Sequence, residues 1–174
     1  AYDAMISRYF ASVVGDEFPD TLNISLKKVE HLRYGENSQQ AANKYEDSFV
    51  QKSLLDYEQL HGKEISFNNV NDLYGAVAVV REFEGSIVTA AIKHSTPCGV
   101  AIGKTGYDSY MKAYEADPQS IFGGIVAVNY KVDKETAEQM NKIFLEIVAA
   151  PDYDEDALIE LKKKKNLRIL KLNN

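Results

Sequence analysis

Three short apolar runs constrain this chain more than any other feature. Ile87-Val88-Thr89-Ala90-Ala91-Ile92, Ile125-Val126-Ala127-Val128 and Glu146-Ile147-Val148-Ala149-Ala150 are too short for buried helices and too continuously apolar for one-sided strands. Such runs fit strands covered on both faces. Between them lie segments with helical spacing: Tyr107 to Ala116, with Tyr110, Ala113 and Tyr114 facing inward, and Lys134 to Leu145 behind an Asp133 cap. The alternation predicts an α/β three-layer sandwich, with helices on both faces of a largely parallel or mixed sheet. At 174 residues, 45% hydrophobic and 26% charged, the chain suffices for one domain with a real core plus an appendage.

The flanking segments follow the same rules. Met5, Ile6, Tyr9, Phe10 and Val13 share one helical face over Ala1 to Val14, and Gly15 to Pro19 ends that helix. A helix this short is marginal alone and is expected to pack on something. Leu22, Ile24 and Leu26 alternate with Asn23, Ser25 and Lys27, predicting a strand. Ile65-Ser66-Phe67 is a short strand candidate, and Asn71 or Asp72 can cap a helix carrying Leu73, Ala76, Val77, Val80 and Phe83 on one stripe. Asp154 to Lys165 reads as a helix with an acidic first turn and a solvated lysine end, the arrangement the helix dipole favours. Leu167 to Leu172 is a closing strand, expected at an exposed edge or awaiting a partner segment.

Charge and composition exclude several classes. A net charge of −6 argues against a duplex-binding surface. No apolar run reaches membrane-spanning length, and no basic-then-apolar leader opens the chain. Because the first residue is not Met, an excised or processed piece is expected. A single cysteine leaves no internal disulfide framework, and a reducing cytoplasm is the expected compartment.

The candidate chemistry gathers at the breaks between elements. Lys93 and His94 stand side by side at the carboxyl end of the first apolar run, before a turn expected at Pro97-Cys98-Gly99. This is either an ordinary polar strand end or the place where open α/β sheets present ligand-handling groups. The segment Leu32 to Gln40 has no apolar period. It is either a polar surface loop or a binding loop in which Arg33 offers a planar fork to a phosphate or carboxylate. Phe122-Gly123-Gly124 precedes the second run, where exposed amides can hold an anion. Cys98 follows Pro97, but Ala101 occupies the second cysteine position of the zinc-deaminase signature and no H-x-E occurs, so that signature fails. A cysteine between Pro and Gly reads as a small filler of a turn, with a Cys98–His94 nucleophile pair the alternative. His31 and His61 lack companions at metal spacing and are expected at the surface, so no metal is expected.

Four of these stretches together resemble the family of bifunctional purine-biosynthesis enzymes that join an IMP cyclohydrolase domain to an AICAR transformylase domain. They are Leu-Arg-Tyr-Gly-Glu-Asn at 32–37, Ile-Lys-His-x-x-Pro-Cys-Gly at 92–99, Ala-Asp-Pro-x-Ser-x-Phe-Gly-Gly at 116–124 and the Pro-x-Tyr-x-Glu-x-Ala-Leu pattern after the run ending at 150. The resemblance implies a junction helix and linker over 1–20, followed at 21–174 by the N-terminal half of the transformylase domain. It further implies a cytidine-deaminase-like fold, AICAR and 10-formyltetrahydrofolate as substrates, and a homodimer when full-length. His94 matches the proton acceptor and Lys93 the residue that stabilises the transition state. Arg33, Tyr34 and Gly123 match nucleotide contacts, as do Asn69 and Glu146 less closely. The chemistry agrees, since an imidazole suits proton removal near neutral pH and an ammonium can offset charge developing on a formyl oxygen. Ser38-Gln39 departs from the family's Pro-His, and Thr96 from the Asn of many bacterial members. The remaining substrate contacts would come from the absent second half and a dimer partner, so the piece is expected to be inactive alone. A non-catalytic nucleotide-binding or assembly module of the same fold and a cysteine-dependent hydrolase are the competing readings.

Overall fold

The computed structural model describes residues 1–47, 49–50 and 53–173; Asn174, the last residue of the expected second segment, lies outside the described residues. The chain divides into two units, Ala1–His31 with Asn43–Gln51, and Leu32–Ala42 with Lys52–Asn174. In the first, helix α1 (Tyr2–Val14) stops at Gly15, which takes the left-handed conformation of a helix terminus, and none of its residues is buried. Strands β1 (Leu26–Leu32) and β2 (Ala42–Asp47) form a two-stranded sheet. The strand expected at 22–27 therefore begins only at Leu26. Leu22 and Ile24 are 67% and 65% exposed, and alternation without a face to bury does not make a strand.

In the second unit, β3 (Tyr57–His61), α2 (Phe67–Arg81), β4 (Ile87–Lys93), β5 (Thr96–Gly103), α3 (Gly106–Ala116), β6 (Ile125–Val128), α4 (Lys134–Met140), β7 (Ile147–Ala150), α5 (Glu155–Leu161) and β8 (Arg168–Leu172) follow in order. Six strands form one sheet in the order β3-β8-β7-β6-β4-β5. β6, β7 and β8 run parallel, while β4 opposes both β5 and β6, and β3 opposes β8. The sheet is mixed, because β4 lies between β5 and β6 and opposes both, joined to β5 by a tight hairpin, while direct parallel pairing is confined to β6, β7 and β8.

Side-chain alternation divides the sheet into two cores. Val88, Ala90, Ile92, Ile125, Ala127, Ile147 and Ala149 pack with Leu73, Ala76, Val77 and Val80 of α2. Ala91, Val126, Val128, Val148 and Ile169 pack on the other face with Tyr110, Ala137, Met140, Ala157 and Leu161 of α3, α4 and α5. That is a three-layer sandwich. Each continuous apolar run supplies both cores, which is why the runs lack polar alternation.

Several boundaries differ from expectation. Ile65-Ser66-Phe67 is no strand: Ser66 is the N-cap of α2, its hydroxyl accepting from Asn69 N while Asn69 Oδ1 accepts from Ser66 N. The cap thus lies upstream of Asn71 and Asp72, both inside the helix. Pro97-Cys98-Gly99 is not the turn but the start of β5, an edge strand, where a proline is tolerated. Cys98 is the extra residue of a bulge there, since Ala91 pairs with Gly99 and Ile92 with Pro97. Gly99 also lets α3 approach, because a Cβ would fall 2.0 Å from Ala113 O. α4 ends at Met140 and α5 at Leu161, short of the predicted Leu145 and Lys165. Finally, β8 is no edge; it lies between β3 and β7. Among the described residues no helix is long and apolar enough to cross a membrane.

Candidate active site

Five consecutive residues of β4, Val88 to Ile92, are buried, so Lys93 emerges only where the strand leaves the core. β4 runs against β6, with Ile92 opposite Ile125. The Lys93 end of β4 therefore lies beside the amino ends of β6, β7 and β8, not at the carboxyl edge that parallel sheets use. Lys93 Nζ donates to Phe122 O at 2.8 Å, which anchors it to the loop entering β6. His94 and Ser95 form the two-residue loop between Lys93 and Thr96, with φ of 52° and 60°. Two positive φ values mark the turn that suits a two-residue hairpin, a conformation that favours glycine or asparagine. Here it is held from α2: Asp72 Oδ2 accepts from His94 N at 3.2 Å and Oδ1 from Ser95 N at 2.7 Å. Asn71 Nδ2 also donates to Ser95 Oγ at 2.7 Å.

Lys93, His94, Thr96, Pro97, Cys98, Asp117 and Ser120 line an open cleft of about 430 Å³. Asp117 accepts from Ser120 N at 2.9 Å, and bonds from the Ser120 side chain and backbone hold its carboxyl below the usual range. Cys98 Sγ donates weakly to Ala91 O at 3.4 Å, and burial pushes its thiol up. A half-buried thiol with a raised pKa is a poor nucleophile, which fits the filler reading.

The other predicted residues lie outside that cleft lining but at the same end of the sheet. Gly123 has φ of 74°, its amide donates to Phe144 O at 2.7 Å, and Glu146 N donates to Gly124 O at 2.9 Å. Glu146 is half-exposed, with one carboxylate oxygen held by Arg168 Nη1 at 2.6 Å. Arg168 is 3% exposed and also donates through Nε and Nη2 to Glu64 O. Arg33 N donates to Ile65 O, and Phe67 N to Tyr34 O, so the 33–36 loop docks on the start of α2. Asn68 Nδ2 adds a bond to Glu36 O. The Arg33 guanidinium lies 5.2 Å from the Tyr34 ring centroid, within cation–π range. Asn69 is 9% exposed and uses its Oδ1 on the helix cap.

Asp72 and Arg168 escaped the sequence reading. Asp72 was masked by its suitability as a cap, and Arg168 by its place in an apolar strand. His31 is exposed and bonds to Asn43, whereas His61 is half-buried against Lys164 O and so is not the surface residue expected. No group of three or more His, Cys, Asp or Glu residues that could hold a metal ion occurs among the described residues.

A family model described as the AICARFT/IMPCHase bienzyme matches residues 1–174. The chain belongs to this bienzyme family. Relatives include the bifunctional purine biosynthesis protein PurH of Clostridioides difficile (strain 630), 56% identical over 98% of this chain, and that of Clostridium beijerinckii, 53% identical over all of it. PurH of Bacillus cereus (strain B4264) is 51% identical over 99% of the chain. The chain spans about a third (34%) of the length of these bienzyme relatives.

Proposed function

We propose that this segment supplies the proton-accepting half of an AICAR formyltransferase site, within a protein that makes purines. The observation that carries the reading is Lys93 and His94 emerging together from the buried strand β4, with Lys93 tied to the loop of Gly123. In this reading the 5-amino nitrogen of AICAR attacks the formyl carbon of 10-formyltetrahydrofolate. Its lone pair is delocalised into the ring, so a base has to take its proton as the C–N bond forms; His94 is that base. Lys93 offsets the negative charge on the formyl oxygen. The intermediate collapses by breaking the bond to folate N10, which leaves with a proton.

Arg33, stacked near Tyr34, offers its fork to the anionic end of the nucleotide. The Gly123 turn allows close backbone approach, and the exposed edge of Glu146 accepts from hydroxyl groups. Asn69 contributes by fixing the start of α2, on which the Arg33 loop rests. Residues 1–20 are the junction from a cyclohydrolase domain, and 21–174 the first half of the transformylase domain. The remaining contacts come from the second half and from a dimer partner, in the cytoplasm, and the segment alone is inactive.

Calorimetric titration of AICAR into the chain, beside Arg33→Ala, tests the nucleotide contacts; the variant should lose the heat. In the full-length protein His94→Ala should abolish folate-dependent formylation while binding persists. Normal turnover in that variant would refute the assignment, and tight binding with no folate-dependent product in the unmutated protein would make this a non-catalytic nucleotide module.

A further inference from the structure

We propose that Asp72 is a positioning residue, whose carboxylate holds the His94–Ser95 turn in its left-handed conformation and thereby fixes where His94 presents its imidazole. The inference rests on the formyltransferase reading for its kinetic part only. Neither residue of the turn is a glycine or an asparagine, yet both have positive φ. In L-residues that conformation brings Cβ against the carbonyl oxygen, so something outside the turn has to stabilise it. The partners that do so are on α2. Asp72 accepts from both turn amides, through Oδ2 to His94 N at 3.2 Å and Oδ1 to Ser95 N at 2.7 Å, and from Ser95 Oγ at 3.3 Å.

The helix is a rigid support for this grip. α2 is capped at Ser66 and buries Leu73, the next residue after Asp72, completely. The carboxylate thus ties the position of the turn to the core and not to solvent. A carboxylate suits the task because its two oxygens can meet two parallel N–H donors, and charge-assisted bonds to amides are stronger than neutral ones. An amide at the same place would offer one acceptor for two donors.

The test compares Asp72→Ala, the isosteric Asp72→Asn and the double variant Asp72→Ala/Ser95→Gly. The intraresidue HN–Hα Overhauser effects of residues 94 and 95, strong only at positive φ, report the turn in the 174-residue chain. Steady-state formylation in the full-length protein reports the consequence. Asp72→Ala should weaken both Overhauser effects and lower kcat about 10- to 100-fold, the range set by one or two charge-assisted bonds, with KM for AICAR changing far less. Asp72→Asn should fall between. The double variant should regain most of the lost kcat, because glycine enters the left-handed region without steric cost. Unchanged Overhauser effects in Asp72→Ala would overturn the proposal, as would a lost turn with full kcat or a kcat that glycine fails to restore. If the unmutated full-length protein makes no formylated product, the formyltransferase reading fails, and the Overhauser effects alone decide whether Asp72 holds the turn.

Discussion

Two turns meet at the end of β4, and they reach positive φ in opposite ways. The loop entering β6 assigns it to Gly123, which needs only a backbone bond to Phe144 O. The hairpin assigns it to His94 and Ser95, and needs a carboxylate from a neighbouring helix. In the first, glycine takes the conformation cheaply; in the second, side chains occupy the tip and the strain is braced from outside. On the proposed reading, the difference separates a turn that needs no side chain from one that presents the base.

The sharpest way to test this contrast is to make the two turns alike. His94→Gly should leave the fold intact and raise stability by up to ~1–2 kcal/mol, while formyl transfer falls about 10²- to 10⁴-fold. Denaturant midpoints beside turnover in the full-length protein would reveal that split; a variant both less stable and fully active would break the comparison. Removing the clamp behind the Gly123 loop comes next. Arg168→Met leaves Glu64 O and the half-exposed Glu146 carboxylate without their partner, and should cost about 1–3 kcal/mol in urea unfolding, since water can reach the carboxylate. Gly123→Ala isolates the conformational cost, because its Cβ would sit 3.6 Å from the Phe144 ring, in ordinary contact. About 1–2 kcal/mol of lost stability is expected, and none would mean that the loop moves freely.

The smallest effect concerns Asp117, which opens the glycine loop as Asp72 braces the hairpin. Bonds from Ser120 lower its carboxyl below the ordinary value of 3.8. Its contribution to stability is therefore full above that value and is lost as pH falls through the lowered native one. Ser120→Ala, which keeps the backbone donor, should move the carbon-detected titration midpoint of Asp117 part of the way up toward 3.8, and an unmoved midpoint would remove the Ser120 hydroxyl as a cause.

The sequence discloses the core well and the turns poorly, for a physical reason. Ile125–Val128 and Ile147–Ala150 are apolar throughout because each strand feeds two cores, and that demand is written in consecutive residues. Leu73, Ala76, Val77 and Val80 are likewise readable from spacing alone. By contrast β2 and β3 carry mixed polar patterns, with no fully buried position, and give no such signal. The hairpin was misplaced because Pro97 and Gly99 are strong turn residues, whereas His94-Ser95 owes its shape to Asp72, a partner 22 residues away from His94. The site residues became legible through motif resemblance; their mutual support, through Asp72 and Arg168, is tertiary and leaves no local pattern.

The place of β8 has a consequence for how the molecule is made. Among the described residues β3 pairs with β8 alone, Tyr57 opposite Leu172, so it is synthesised long before that neighbour. At ~5–20 residues per second the wait is on the order of ten seconds, during which β3 is an unpaired edge on the ribosome. The hairpin β4–β5 and its helix can assemble early from local contacts, but β3 joins β8 through a loop closure that spans most of the second unit. Pairing of β3 is thus tied to the synthesis of β8, and the nascent chain between those two moments is the form most exposed to chaperones and to aggregation.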